Sequence, residues 1–127
     1  MILVDSNVWI YHYNGDPAGT LLEPFLADSR VVCHPWIVGE VILGIPHEDR
    51  ARVLADLATF PMLAVQRPGD VLAFIAENRL SGGVRWVDVN LLCSALKAHV
   101  GIVTTDDKLS RLANRFNLAH RANPAHA

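Results

Sequence analysis

Residues 1–13 read Met1-Ile2-Leu3-Val4-Asp5-Ser6-Asn7-Val8-Trp9-Ile10-Tyr11-His12-Tyr13. Ile2-Leu3-Val4 is a short apolar run without polar alternation, which predicts a strand buried on both faces. Ser6 can cap a helix running to Tyr13, and Asn14-Gly15-Asp16-Pro17 stops it. The same alternation recurs downstream. Strands are predicted at 2–4, 31–33, 62–65, 101–104 and near 117–119. Helices are predicted at 6–13, 19–28 with Pro24 disturbing the middle, 36–43, 48–59, 69–80, 87–99 and 107–114. Strands that alternate with helices indicate an α/β fold with a mainly parallel central sheet of four to five short strands. In such sheets the site lies beyond the carboxyl ends of the strands.

The rest of the composition narrows the possibilities. The chain has 127 residues, 51% of them apolar, enough for one well-packed domain spanning 1–127, with 121–127 expected to be a flexible tail. Its net charge of −2 means that any polyanion must be drawn by local cations. Cys33 and Cys93 lack metal-ligand spacing and suit buried free thiols. Met1-Ile2-Leu3-Val4-Asp5 is no signal segment, and no apolar run reaches the ~18 residues of a membrane span, so a soluble cytoplasmic protein is expected, with no membrane partner.

Four acids stand out by position. Asp5 ends the first strand and Asp106 follows the fourth. Glu40 lies inside the apolar Trp36-Ile37-Val38-Gly39-Glu40-Val41-Ile42-Leu43, and Asp88 opens Val87-Asp88-Val89-Asn90-Leu91-Leu92. Taken singly, each acid can be read structurally, as a helix cap, a first-turn residue or a turn former. Together they ask for a shared cation, because a buried unpaired carboxylate costs several kcal/mol. Hard divalent ions take oxygen ligands, and a carboxylate cluster holding one or two of them hydrolyses phosphodiesters.

These segments resemble those of PIN-domain proteins. Val4-Asp5-Ser6-Asn7-Val8-Trp9-Ile10 is similar to the family's opening motif, and the acid-bearing helix from Pro35 to Gly44 to its second. Asp88 corresponds to the third, and Val103-Thr104-Thr105-Asp106-Asp107-Lys108-Leu109 to the fourth. In length and order the chain is most similar to VapC-type toxins of type II toxin–antitoxin pairs. The resemblance implies a PIN-like three-layer α/β/α fold and an endoribonuclease dependent on Mg²⁺ or Mn²⁺. It further implies an RNA substrate, a cognate VapB-like antitoxin and a homodimer. It casts Asp5, Glu40, Asp88 and Asp106 as the catalytic metal ligands, with Ser6, Asn7 and Thr104 in support. Asp107 is a departure from the pattern, and the Thr-x-Asp spacing selects Asp106.

Arg85, Trp86 and Lys108 are candidate RNA contacts, Trp86 by base stacking. Arg79 and Arg111 are further candidates for phosphate. Trp9, Tyr11, Tyr13, Trp36, Ile37 and Ile42 are candidates for a groove or dimer seam, since helices 6–13 and 36–43 are apolar on more than one face. The histidines show no zinc spacing, and no Walker or Gly-x-Gly-x-x-Gly pattern occurs. A receiver-like phosphoacceptor needs an acid after its third strand, where Val65-Gln66-Arg67 has none. The alternatives are a PIN-fold binding module without activity and a PIN nuclease outside a toxin–antitoxin system.

Overall fold

A computed structural model describes residues 1–120. Its sheet contains β1 (Ile2–Val4), β2 (Val31–Val32) and β3 (Gly101–Val103), in the order β2-β1-β3, all parallel. Ile2 pairs with Val31 and Gly101, and Val4 with Val103. Consecutive strand residues face opposite sides of a sheet. Ile2, Leu3 and Val4 are all at most 1% exposed, so both faces of β1 are covered, as a three-layer α/β/α arrangement requires.

The helices are α1 (Ser6–Tyr13), α2 (Glu23–Ala27), α3 (Pro35–Leu43), α4 (Arg50–Leu57), α5 (Pro68–Glu77), α6 (Trp86–Ala98) and α7 (Asp107–Arg115). α1, α3 and α4 pack consecutively against one another, and α5 packs on α6. The 3₁₀ turn Pro17–Leu22 lies tightly on α1. A Cβ on its Gly19 would stand 2.4 Å from the backbone of His12, so only glycine fits there.

Two expected strands are reduced to single parallel bridges. Cys33 bridges Met62 beside β2, and Ile102 bridges Ala119 beside β3. Among the described residues the sheet therefore has three strands rather than four to five, with one bridging residue at each margin. Met62-Leu63-Ala64-Val65 looked like a buried run, but Met62 and Val65 are 44% and 45% exposed. A segment at the sheet margin, covered on one side only, gains little from longer pairing.

Pro24 lies in the first turn of α2 rather than in mid-helix, because residues 17–22 form the separate 3₁₀ turn. Asp5, not Ser6, caps α1. Trp9 and Ile37 are buried in the chain's own core, so they belong to no groove or seam; Tyr11, Tyr13, Trp36 and Ile42 are half-buried. Both cysteines are free thiols, Cys33 buried and Cys93 partly exposed. Among the described residues no helix is long and apolar enough to cross a membrane. The expected tail at 121–127 lies outside the described residues.

Candidate metal and phosphodiester site

Parallel pairing of β1 with β3 sets the first half of the site. Because Val4 registers with Val103, the next residues, Asp5 and Thr104, leave the sheet side by side, and the Asp5 N–H donates to the Val103 carbonyl at 2.8 Å. The Thr104 hydroxyl donates to Asp5 Oδ2 at 2.7 Å, and the Ser6 N–H donates to Oδ1 at 2.8 Å. The Asp106 N–H in turn donates to Thr104 Oγ1 at 3.0 Å, and Asp106 Oδ1 accepts from the Leu109 N–H at 2.9 Å, capping α7. Thr104 thus ties the two acids together. Ser6 reaches Asp5 through its backbone N–H; no side-chain bond joins the two.

The other two acids come from helices. Asp88 lies in the first turn of α6 and is 2% exposed. Arg85, immediately before that helix, forks onto it: Nε to Oδ2 at 3.3 Å and a terminal nitrogen to Oδ1 at 3.2 Å. Glu40 is half-buried on α3, and its carboxylate makes no hydrogen bond or ion pair among the described residues.

Electrostatics place all four acids in one neighbourhood. Burial raises the Asp5 carboxyl above the ordinary carboxylate range; Thr104 and Ser6 oppose this, and the charges of Asp88 and Asp106 reinforce it. Glu40 is raised too, first by burial, then by Asp5, with Arg85 working against the rise and Asp88 adding to it. The Arg85 guanidinium is held more firmly charged by Asp88, and also by Asp106 and Glu40. One cation therefore stands among acids that repel one another.

Beside these acids opens a cleft of about 570 Å³, whose lining includes Asn7, Tyr11 and Asp106 together with the cationic Arg85, Lys108 and Arg111. Asp107 lines it as well, exposed in the first turn of α7, while Asp106 carries the capping and Thr104 contacts. Trp86 is 41% exposed at the start of α6 but does not line the cleft.

Among the described residues, no three His, Cys, Asp or Glu side chains converge tightly enough to form a ready-made metal cage. The donor set nevertheless fits a hard divalent ion. It is all oxygen, it carries excess negative charge, and Mg²⁺ commonly binds through one or two carboxylates while keeping several waters. A guanidinium already sits in the cluster, which shows that the acids accept a cation.

Arg85 as the partner of Asp88 was not expected, although the i,i+3 spacing at the start of α6 offered it. Tyr11, a candidate for a groove or dimer seam, lines this cleft.

The PIN domain family model matches residues 2–115 of this chain. Two curated relatives, both named Ribonuclease VapC32 and from two strains of Mycobacterium tuberculosis (CDC 1551 / Oshkosh and ATCC 25618 / H37Rv), are 38% identical over 113 residues. The match covers 86% of this chain and 87% of each relative.

Proposed function

This chain belongs to the PIN-domain family, and on that premise we propose that it is a metal-dependent endoribonuclease, the toxin of a VapBC-type toxin–antitoxin pair. What supports this reading is that Asp5, Glu40, Asp88 and Asp106 lie within electrostatic reach of one another or of the shared Arg85, beside a cleft that Asp106 lines, with Asp5 buried and its charge opposed by its neighbours. These four acids would hold Mg²⁺ or Mn²⁺. When bound, the ion supplies Lewis acidity: it makes water a better nucleophile and offsets the charge that develops on the phosphate.

The chain's own residues do the positioning. Thr104 fixes Asp5 Oδ2 and orients the Asp106 backbone, so the two strand-end carboxylates keep a set spacing. The Ser6 N–H and α1 behind it hold Oδ1 from the helix N-terminus. Asn7 lines the cleft from the same helix and is placed to orient water or substrate. In the same cleft Lys108, with Arg111 and Arg85, supplies local positive charge for an RNA phosphate in a chain of net negative charge. Trp86, outside the cleft, offers a stacking face for a base leading away from it.

The partners in this reading are RNA, a VapB-like antitoxin and a second copy of the chain. Leu43 on α3 and Leu54 on α4, 76% and 51% exposed on helices that pack together, support an apolar face for a protein partner.

The test is RNA cleavage by the purified chain after chelation, then with Mg²⁺ or Mn²⁺ restored. Cleavage is expected only with metal, and is expected to disappear in Glu40→Gln and Asp88→Asn. Undiminished cleavage in chelator would sink the reading.

A further inference from the structure

We propose that Arg85 is a placeholder cation, holding the Asp88 carboxylate in the metal-free protein and released from it by a divalent ion to take a phosphate of the substrate. The proposal rests on the metal-site reading above.

The starting point is burial. Asp88 is 2% exposed, and a carboxylate so enclosed needs a countercharge or a full set of donors. Among the described residues Arg85 alone bonds its oxygens, one N–H to each. The fork geometry suits a carboxylate, but at 3.2 and 3.3 Å both contacts are long beside the ~2.7–2.9 Å of strong charge-assisted bonds. Arg85 neutralises Asp88 without gripping it tightly.

The arginine is also free to leave. Its side chain is 61% exposed, against 3% for that of Asp88. It springs from the residue before α6, just after a loop whose Gly82 and Gly83 both adopt positive φ. The only other ion pair among the described residues, Arg52 with Asp49, shares the i,i+3 spacing, but its acid is 39% exposed and a single contact spans 3.5 Å. That is an ordinary surface pair. Arg85 differs because its acid is buried and belongs to the acid cluster.

Both positions of the guanidinium are furnished. In the first it feels Asp88, Asp106 and Glu40 together, the acids assigned to the ion. An ion drawing on Asp88 competes with the same two oxygens. In the second, the released side chain stays in the cleft with Lys108 and Arg111, neither of which has an ion-pair partner among the described residues. Arginine there meets a phosphate with the planar fork that lysine lacks. Metal loading and substrate recruitment are thereby coupled: negative charge on the protein is covered by the ion as positive charge turns to the RNA.

The experiment titrates Mn²⁺ into the metal-stripped chain and follows free Mn²⁺ by its electron paramagnetic resonance signal, for wild type, Arg85→Ala and Arg85→Lys. Circular dichroism checks that each variant is folded. Competition with a half-exposed ion pair predicts Mn²⁺ binding tighter by about fivefold in Arg85→Ala, with Arg85→Lys in between because it keeps the charge but loses the fork. Equal affinity in wild type and Arg85→Ala would overturn the placeholder while leaving the metal site intact. Wild-type affinity in Arg85→Lys would reduce the effect to distant repulsion and overturn displacement. Absence of Mn²⁺ binding in all three would remove the metal site and the placeholder together. A second arm measures affinity for a 2′-O-methyl RNA that resists cleavage, at fixed ionic strength. Mg²⁺ is expected to improve binding by wild type about tenfold more than by Arg85→Ala, the worth of one good phosphate contact. Equal improvement would overturn the release step.

Discussion

Asp5 and His34 occupy matching places in two β–α units, and the chain treats them in opposite ways. Asp5 follows β1 directly; His34 follows β2 after the bridging Cys33. Each caps the next helix, Asp5 through the Ser6 N–H and His34 Nδ1 through the Trp36 N–H at 3.1 Å. Each has a hydroxyl partner from far along the chain, Thr104 or Ser94. The Ser94 hydroxyl donates to the Ala64 carbonyl at 2.8 Å, so His34 Nε2, 3.1 Å from Ser94 Oγ, is the donor and Nδ1 the acceptor. That network is neutral and closed, and burial lowers the His34 pKa to about 4. Asp5 is equally well bonded, yet its charge is crowded by other acids and burial raises its pKa. One cap is finished by the protein; in the proposed function the other is finished by a cation. Buried polar groups are thus not alike, and residual unmatched charge is what marks the functional one.

Substitutions should separate the two. The largest expected effect is on catalysis: Asp5→Asn should lower RNA cleavage by about a thousandfold, the scale of losing a group that acts at the reacting centre, with the fold retained by circular dichroism. His34→Ala should do the reverse. It removes a cap and opens a cavity in the core, so denaturant titration should show a loss of about 3 kcal/mol. Cleavage by its folded fraction should remain near wild type. If Asp5→Asn unfolds the protein and His34→Ala silences it at full stability, the two roles have been exchanged.

A smaller effect follows pH. Folded His34 titrates near 4 and the unfolded residue near 6.5, so the unfolded chain binds more protons between those values. The stability His34 contributes is complete above 6.5 and is lost as pH falls toward 4. Raised acids such as Asp5 and Glu40 act oppositely, because protonation relieves their strain as pH falls. Comparing wild type with His34→Gln cancels those acids. The wild-type advantage should shrink by about 2 kcal/mol between pH 7 and pH 4.5. A pH-independent difference would mean that His34 is not buried in neutral form. Least affected should be Arg52→Ala, whose exposed partner Asp49 leaves a change under about 0.5 kcal/mol.

Much of this contrast was legible in the residues, though unevenly. Asp5 and Asp106 could be placed because strand ends are marked by the switch from Ile-Leu-Val or Ile-Val to polar residues, and parallel pairing then brings them together. Helices with an apolar stripe were found within a residue or two at most ends. The marginal strands were not, because a four-residue apolar run carries no record of how long a neighbour will pair with it, and Met62 and Val65 proved exposed. Trp9 and Ile37 were assigned to a possible surface groove because an all-round apolar helix does not say which side faces inward. The His34–Ser94 contact joins positions 60 residues apart, and nothing local announces it. Arg85 was read as a phosphate contact; its i,i+3 spacing to Asp88 offered the pairing, but the spacing did not reveal that Asp88 would be buried.

On the proposed reading Asp5 is buried and crowded by like charges for the sake of a cation, at a cost to the metal-free fold. Denaturant unfolding of wild type and Asp5→Asn, each in chelator and in saturating Mg²⁺, tests it directly. In chelator Asp5→Asn should be the more stable, because a buried repelled charge is gone while an amide oxygen can still cap α1. Adding Mg²⁺ should stabilise wild type, as any ligand of the native state does, and should stabilise Asp5→Asn far less. A variant that is less stable in chelator and responds to Mg²⁺ as strongly as wild type would contradict the account.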